Sequence, residues 1–159
     1  MMNRKTKKQV ACTGFTLVEM LIVLMIIALV GMIAVPRVAD TVRAIRFDTI
    51  SNQLLNDLRF ARRSAMDLNT IIEVNFTGGV DYTVTVKETG RQLRARTYPE
   101  SGAGWTITLG GVIPNPFYFN SRGLPQDVGG SPVGGNVTIT GGSGQNRVFT
   151  IFAATGMIH

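Results

Sequence analysis

The sequence predicts an α+β protein in which one long N-terminal α-helix packs against one or more antiparallel β-sheets. Three observations predict this class. Residues 15–36 form an apolar run that holds one acid, Glu19. From there to residue 66, apolar residues recur every three or four positions, as on one face of a helix. Beyond residue 67, short runs alternate apolar and polar residues, as strands with one buried face do.

The first element is the apolar run itself, which predicts a membrane-spanning helix. At about 1.5 Å per residue, residues 15–36 extend roughly 33 Å, against a hydrocarbon layer of about 30 Å. The cations Arg4, Lys5, Lys7 and Lys8 precede the run, which predicts a cytoplasmic N-terminus and an exported remainder. The run ends without an Ala-x-Ala cleavage site, so we expect the chain to keep it.

The second element is an amphipathic helix over residues 37–66 that continues the first. Its predicted core positions are Phe47, Ile50, Leu54, Leu58, Ala61 and Ala65. Polar residues assigned to its other faces include Arg43, Asp48, Asn52, Asp57, Arg59 and Arg62. Gly31 and Pro36 are the expected places for a bend, because proline removes a backbone donor and crowds the preceding turn.

The remaining residues, 67–159, predict a β-rich domain. Residues 72–76 and 82–86 alternate apolar and polar side chains around residues 77–80, which predicts a hairpin. Further strands are expected at residues 91–98, 105–109, 117–119, 137–139 and 148–152. The glycine-rich residues 121–136 predict a long exposed loop, which either contacts a partner or serves only as a connection.

Composition argues against catalysis and against metal or cofactor binding. His159 is the only histidine and Cys12 the only cysteine, so neither a Cys/His metal site nor a histidine-based triad is expected. Residues 1–14 hold four of the 16 Lys and Arg residues and none of the 10 Asp and Glu residues. Without them the net charge falls from +6 to +2, so overall basicity is weak support for nucleic-acid binding.

The residues Thr13-Gly14-Phe15-Thr16-Leu17-Val18-Glu19, followed by the apolar run to Pro36, resemble the class III signal of type IV pilins and type II secretion pseudopilins. The resemblance implies that a prepilin peptidase cuts between Gly14 and Phe15 and that Phe15 is then N-methylated. It implies a pilin-like fold with a cleaved leader (1–14), a transmembrane and filament-core helix (15–36), an amphipathic helix entering the globular domain (37–66) and a periplasmic β-rich domain (67–159).

Glu19 is expected to act in subunit assembly. The implied cut would create an amino group at Phe15, four positions from Glu19. In a filament, Glu19 could pair with the amino terminus of a neighbour, which would relieve the high free energy of a carboxylate in lipid. The alternative is that Glu19 merely extends toward the headgroups at the cytoplasmic face.

Three later segments resemble the GspH/FimT-like group of minor pseudopilins and minor pilins. They are Leu58–Ala65, Phe119–Gly123 and Val148–Gly156. This resemblance implies a non-enzymatic subunit that is single-pass in the inner membrane and assembles through its helix into a type II secretion pseudopilus or a type IV pilus. The implied partners are other (pseudo)pilins, prepilin peptidase and the inner membrane; whether the machine serves secretion, motility or DNA uptake stays open.

The alternative function is DNA binding by a minor pilin during natural transformation. The candidate contacts are Arg91, Arg94 and Arg96 in one strand region and Arg59, Arg62 and Arg63 at the helix end. Nearby acids favour an ordinary solvated surface instead. The DNA-binding members also carry an arginine-bearing tail after their last glycine, whereas Gly156 is followed here by Met157-Ile158-His159, so nucleic acid is not the favoured partner.

Overall fold

A computed structural model describes residues 14–159, apart from the side chains of residues 33–37. The predicted leader, except for Gly14, lies outside the described residues. The described elements are α1 (Leu17–Asp67), β1 (Ile72–Gly78), β2 (Asp81–Val86), β3 (Gln92–Arg96), a 3-10 helix (Pro99–Ala103), β4 (Thr106–Gly111), β5 (Phe117–Phe119), β6 (Pro125–Gln126), β7 (Gly135–Thr140) and β8 (Asn146–Ile151). One long helix followed by antiparallel strands confirms the predicted α+β class.

Helix α1 confirms the predicted run of helix to about Met66, since it ends at Asp67. Its assignment continues through Gly31 and Pro36, and the prediction that these residues bend the helix stays a prediction. The chain divides into two compact units, and the boundary between them falls within α1, between Arg43 and Ala44.

In the second unit, α1 buries the apolar stripe that its spacing predicted. Phe47, Ile50, Leu54, Leu58, Ala61 and Ala65 are all buried. Asp57, which was assigned to a polar outer face, is also buried, with 3% of its surface exposed. That assignment was wrong because Asp57 lies three residues after Leu54 and four before Ala61, so helical geometry puts it on the core face.

The larger sheet has five antiparallel strands in the order β3-β2-β1-β5-β6. Strands β1 and β2 form the predicted hairpin, with Ile72 opposite Val86 and Gly78 opposite Asp81. The connection is tighter than predicted, because β1 extends to Gly78. At the turn, Gly79 has a φ of +56°, and a Cβ there would lie 2.6 Å from the Cβ of Ser101, so glycine is required.

The smaller sheet has three antiparallel strands in the order β4-β7-β8. Strand β7 lies in the middle, where Val137 and Ile139 are fully buried. The core of the second unit draws on the buried face of α1 and on strands of both sheets. The helix and both sheets of this unit therefore pack around one shared apolar core.

The predicted loop at residues 121–136 is more ordered than expected. Strand β6 pairs with β5, and β7 begins within the range, at Gly135. Val133 is buried, and its amide donates to the carbonyl oxygen of Pro125 over 3.1 Å. Residues 128–132 keep the predicted exposure, as do Ser121, Arg122 and Asn136 near the two ends of the range.

Candidate functional site: the N-terminal segment and the arginine junction

Gly14 and Phe15, the predicted cleavage residues, precede the first residue of α1. Both are exposed, and a Cβ built on Gly14 would meet no other atom within 4 Å. Phe15 exposes 76% of its surface. Among the described residues, nothing packs against this pair in a way that would shield the peptide bond between them.

Thr16 caps the start of α1, a feature that the sequence interpretation missed. The backbone amide of Glu19 donates to the hydroxyl oxygen of Thr16 over 3.2 Å. The residues Thr16-Leu17-Val18-Glu19 have the spacing of a capping box, Thr or Ser followed three residues later by Glu, which could have revealed the helix start. The Glu19 side chain itself is exposed and lies in the first turn, where the helix dipole favours a negative charge.

Apart from Glu19, the first turns of α1 are apolar on every face, and their side chains are largely exposed. The large exposed members between residues 15 and 32 are Phe15, Leu17, Val18, Met20, Leu21, Ile22, Val23, Leu24, Met25, Ile26, Ile27, Leu29, Val30 and Met32. A helix that is apolar all round is normally covered by other helices or by lipid. Within the described residues, no helix reaches the combined length and hydropathy that a membrane crossing requires.

Asp57 joins α1 to the larger sheet through a buried polar cluster. The Tyr82 hydroxyl and Arg96 Nε donate to its Oδ2 over 3.0 and 2.8 Å, and Arg94 Nη1 lies 3.3 Å from its Oδ1. The guanidinium of Arg94 also lies 4.1 Å from the centre of the Phe60 ring. The cluster satisfies a carboxylate that would be very unfavourable if it were buried alone.

The same cluster shifts two pKa values. Burial raises the pKa of Tyr82, and the neighbouring Tyr98 and Asp57 raise it further. The hydrogen bond to Asp57 raises the pKa of Arg96. Both shifts favour the protonation states in which Tyr82 and Arg96 donate to Asp57.

The predicted DNA contacts Arg91, Arg94 and Arg96 differ in surroundings. Arg94 and Arg96 share Asp57, whereas Arg91 is exposed and precedes β3. The contact with DNA stays a prediction, and the structure gives two of these cations a partner within the fold. Among the described residues, no group of three or more His, Cys, Asp or Glu side chains is placed to hold a metal ion.

The three segments that resemble the GspH/FimT-like group converge on Arg62 near the end of α1. Arg62 Nε donates to the carbonyl oxygen of Gly123 over 3.2 Å, and its Nη2 donates to that of Thr155 over 2.9 Å. One turn earlier, Arg59 Nη2 donates to the carbonyl oxygen of Ile158 over 3.2 Å. The helix end thus binds the backbone of both later segments, and we call this contact the arginine junction.

Two buried glycines make the arginine junction sterically feasible. Gly123 and Gly156 have φ angles of +74° and +64°, which strain residues other than glycine. A Cβ on Gly123 would lie 2.8 Å from Met66 Sδ, and one on Gly156 would overlap the carbonyl oxygen of Gly123. Both positions therefore need glycine.

The last residues pair with β8. Thr150 and His159 exchange backbone hydrogen bonds of 2.8 and 3.1 Å, and Ile158, which is buried, bridges to Ile151. The Phe152 and His159 rings meet edge to face, with centroids 5.9 Å apart. This pairing brings residues 157–159 beside the arginines of α1.

A cavity of about 270 Å³ opens between these residues and the helix. We call it the arginine cavity. Its lining comprises Arg59, Arg62, Arg63, Met66, Met157, Ile158 and His159. The helix-end arginines singled out from the sequence thus lie together, although the part played by the C-terminal residues could not be read from the sequence.

Comparison with protein families gives two matches. The family model for the prokaryotic N-terminal methylation motif matches residues 11–35, and the model for the type II transport protein GspH matches residues 51–155. Searches of curated proteins and of solved structures found no match. The GspH match covers more than half of the chain and includes the three segments of the arginine junction up to Thr155. The chain therefore belongs to the type II transport protein GspH family.

Proposed function

We propose that this chain is the precursor of a minor pseudopilin or pilin. Prepilin peptidase cuts it between Gly14 and Phe15, Phe15 is N-methylated, and the mature subunit assembles through α1 with other (pseudo)pilins. The observation that carries the proposal is the methylation motif over residues 11–35 on a helix start whose apolar side chains are exposed on all faces. The chain is then a substrate of the peptidase and a part of a protein-transport or pilus machine, without catalytic activity of its own.

Before assembly, residues 15–36 anchor the subunit in the inner membrane. The four leader cations hold the N-terminus in the cytoplasm, and the β-rich domain lies in the periplasm. During assembly the same apolar surface exchanges lipid for neighbouring helices. Such a helix is compatible with both environments because each of them covers an all-apolar surface.

Glu19 specifies the position of one subunit against the next. Its backbone amide is occupied by the Thr16 hydroxyl, but among the described residues no donor is assigned to its carboxylate. After the cut, a neighbour's Phe15 amino group is a suitable partner. A charge-assisted hydrogen bond contributes about 1.5–3 kcal/mol, and more is lost when a buried charge has no partner.

The test of this role is Glu19→Ala, with Asp40→Ala as the matched control on the same helix. Asp40 is exposed and contacts Arg43 over 3.5 Å. We expect Glu19→Ala to be cut and inserted normally but to enter filaments about tenfold less, since 1.4 kcal/mol corresponds to a factor of ten. Immunoblots of sheared filaments and of membranes measure both quantities. Equal incorporation of the Glu19→Ala and wild-type subunits would exclude the pairing.

Deletion of the chain identifies the machine that it serves. A pseudopilin is required for release of exported proteins, whereas a type IV pilin is required for surface motility or transformation. We expect the loss of protein release, because the matched family model is a type II transport protein. Loss of transformation alone, with release intact, would instead support the DNA-uptake alternative.

A further inference from the structure

We propose that the arginine cavity binds carboxylate side chains from an acidic, partly apolar segment of a neighbouring protein subunit. This inference deepens the proposed function, because it assigns the globular domain a contact surface of its own. It rests on the charge, the rigidity and the apolar wall of the cavity.

Among the described residues, the three arginines that line the cavity form no ion pair with an acidic side chain. Arg59 and Arg62 donate to backbone carbonyl oxygens, which hold the guanidinium groups in place but carry no net charge. The lining includes no aspartate or glutamate side chain. In the part of the chain that the structure describes, every ion pair involves other arginines. Three positive charges therefore face one small space.

Two of these guanidinium groups are pre-organised for binding. Because their hydrogen bonds to residues 123, 155 and 158 fix them, Arg59 and Arg62 lose little side-chain freedom when a ligand arrives. Arg63 is exposed and has no assigned partner among the described residues. It is free to close over an anion with the forked geometry that suits a carboxylate.

The rest of the lining is largely apolar. Met66, Met157 and Ile158 line the same space, and methionine adapts to partners of different shape. Phe152 beside them is 48% exposed, so the apolar surface continues outside the cavity. A carboxylate on an aliphatic stem, next to an apolar residue, matches both parts of the lining. Arginine, methionine and aromatic residues are also enriched in protein interfaces.

Nucleic acid fits this arrangement less well. A phosphate backbone is bound by cations distributed along a track. The three cations here converge on one cavity with an apolar wall, while Arg94 and Arg96 in the strand region already share Asp57. The observations therefore favour an acidic protein segment.

The test is fluorescence anisotropy with the full chain in non-ionic detergent micelles. The probes are a rhodamine-labelled peptide of alternating Glu and Leu, the same peptide with Gln in place of Glu, and a labelled short DNA duplex. We expect saturable binding of the Glu peptide alone. Arg63→Glu should weaken it by about tenfold or more, whereas the matched Arg91→Glu, outside the cavity, should change it by less than about twofold.

Three results would overturn the proposal. They are tighter binding of the duplex than of the Glu peptide, equal weakening by the two charge reversals, and no binding of the Glu peptide. Thermal unfolding of both variants verifies that they fold, which we expect because both side chains are exposed. The assay requires neither cleavage nor filaments, so a negative result does not contradict the proposed assembly function. A negative result of the Glu19 test likewise does not contradict carboxylate binding in the arginine cavity.

Discussion

Asp57 is a buried acid whose carboxylate has three side-chain partners on the larger sheet. Its carboxylate accepts hydrogen bonds from Tyr82 and Arg96 and pairs with Arg94, so one side chain links α1 to both β2 and β3. The spacing from Leu54 and Ala61 placed Asp57 on the core face, but its chemistry suggested an outer face. The spacing was the better guide, because a buried acid is tolerated where three donors meet it.

Asp57→Asn tests this linkage at the level of one residue. The change keeps the shape but removes the charge opposite two arginines, so we expect the free energy of unfolding to fall by about 2–4 kcal/mol. The lower end is expected, because both arginine side chains are partly exposed and water screens them. Urea denaturation of the full chain in micelles measures the change.

Asp48→Asn is the matched control for that experiment. Asp48 pairs with Arg147 at the surface over 2.9 Å, and exposed pairs contribute only about 0–1 kcal/mol. If both substitutions lower the free energy of unfolding equally, the cluster around Asp57 stabilises the fold no more than a surface ion pair does.

Tyr82 makes stability depend on pH in alkaline solution. Burial raises its pKa in the folded state above the unfolded value of about 10. Above about pH 10 the unfolded state therefore releases the Tyr82 proton while the folded state retains it, so the free energy of unfolding falls as pH rises. We expect the free energy of unfolding, measured by denaturation, to decrease less between about pH 9 and pH 11 for Tyr82→Phe than for wild type. Identical decreases would contradict this assignment.

The elements differ in how far the sequence predicted them. Alternation and helical spacing identified α1 and the β1–β2 hairpin, because each depends on residues that are close in the chain. Strand β6 was missed, since its two residues are ordered by pairing with β5 and by the buried Val133. The arginine junction was also missed as a site. It joins residues 61 to 93 positions apart, and such pairings are not encoded in any local pattern.

Gly156→Ala tests the close approach within the arginine junction. Gly156 has a left-handed backbone conformation, and a Cβ there would meet the carbonyl of Gly123. We therefore expect the free energy of unfolding to fall by about 2 kcal/mol or more. Gly130→Ala is the control, because Gly130 has a φ of +88° but open space around it. We expect Gly130→Ala to lower the free energy of unfolding only by the backbone strain, about 1 kcal/mol. Differential scanning calorimetry compares them, and equal losses would contradict the steric account.

At the scale of the whole molecule, the two units of the chain differ in how their apolar surface is covered. The unit from Ala44 onward has its own core, shared by the second half of α1 and the two sheets. The apolar side chains of residues 15–32 are exposed in the isolated chain. In the proposed function, lipid covers this surface before assembly and the helices of sister subunits cover it afterwards. Both require that the chain retain residues 15–36 when the leader is removed.

The most direct measurement is mass spectrometry of the protein purified from membranes of its own host. We expect a chain that begins at Phe15, with one methyl group on its amino terminus and the apolar residues 15–36 intact. A chain that still begins at Met1, or that begins beyond Pro36, would contradict it.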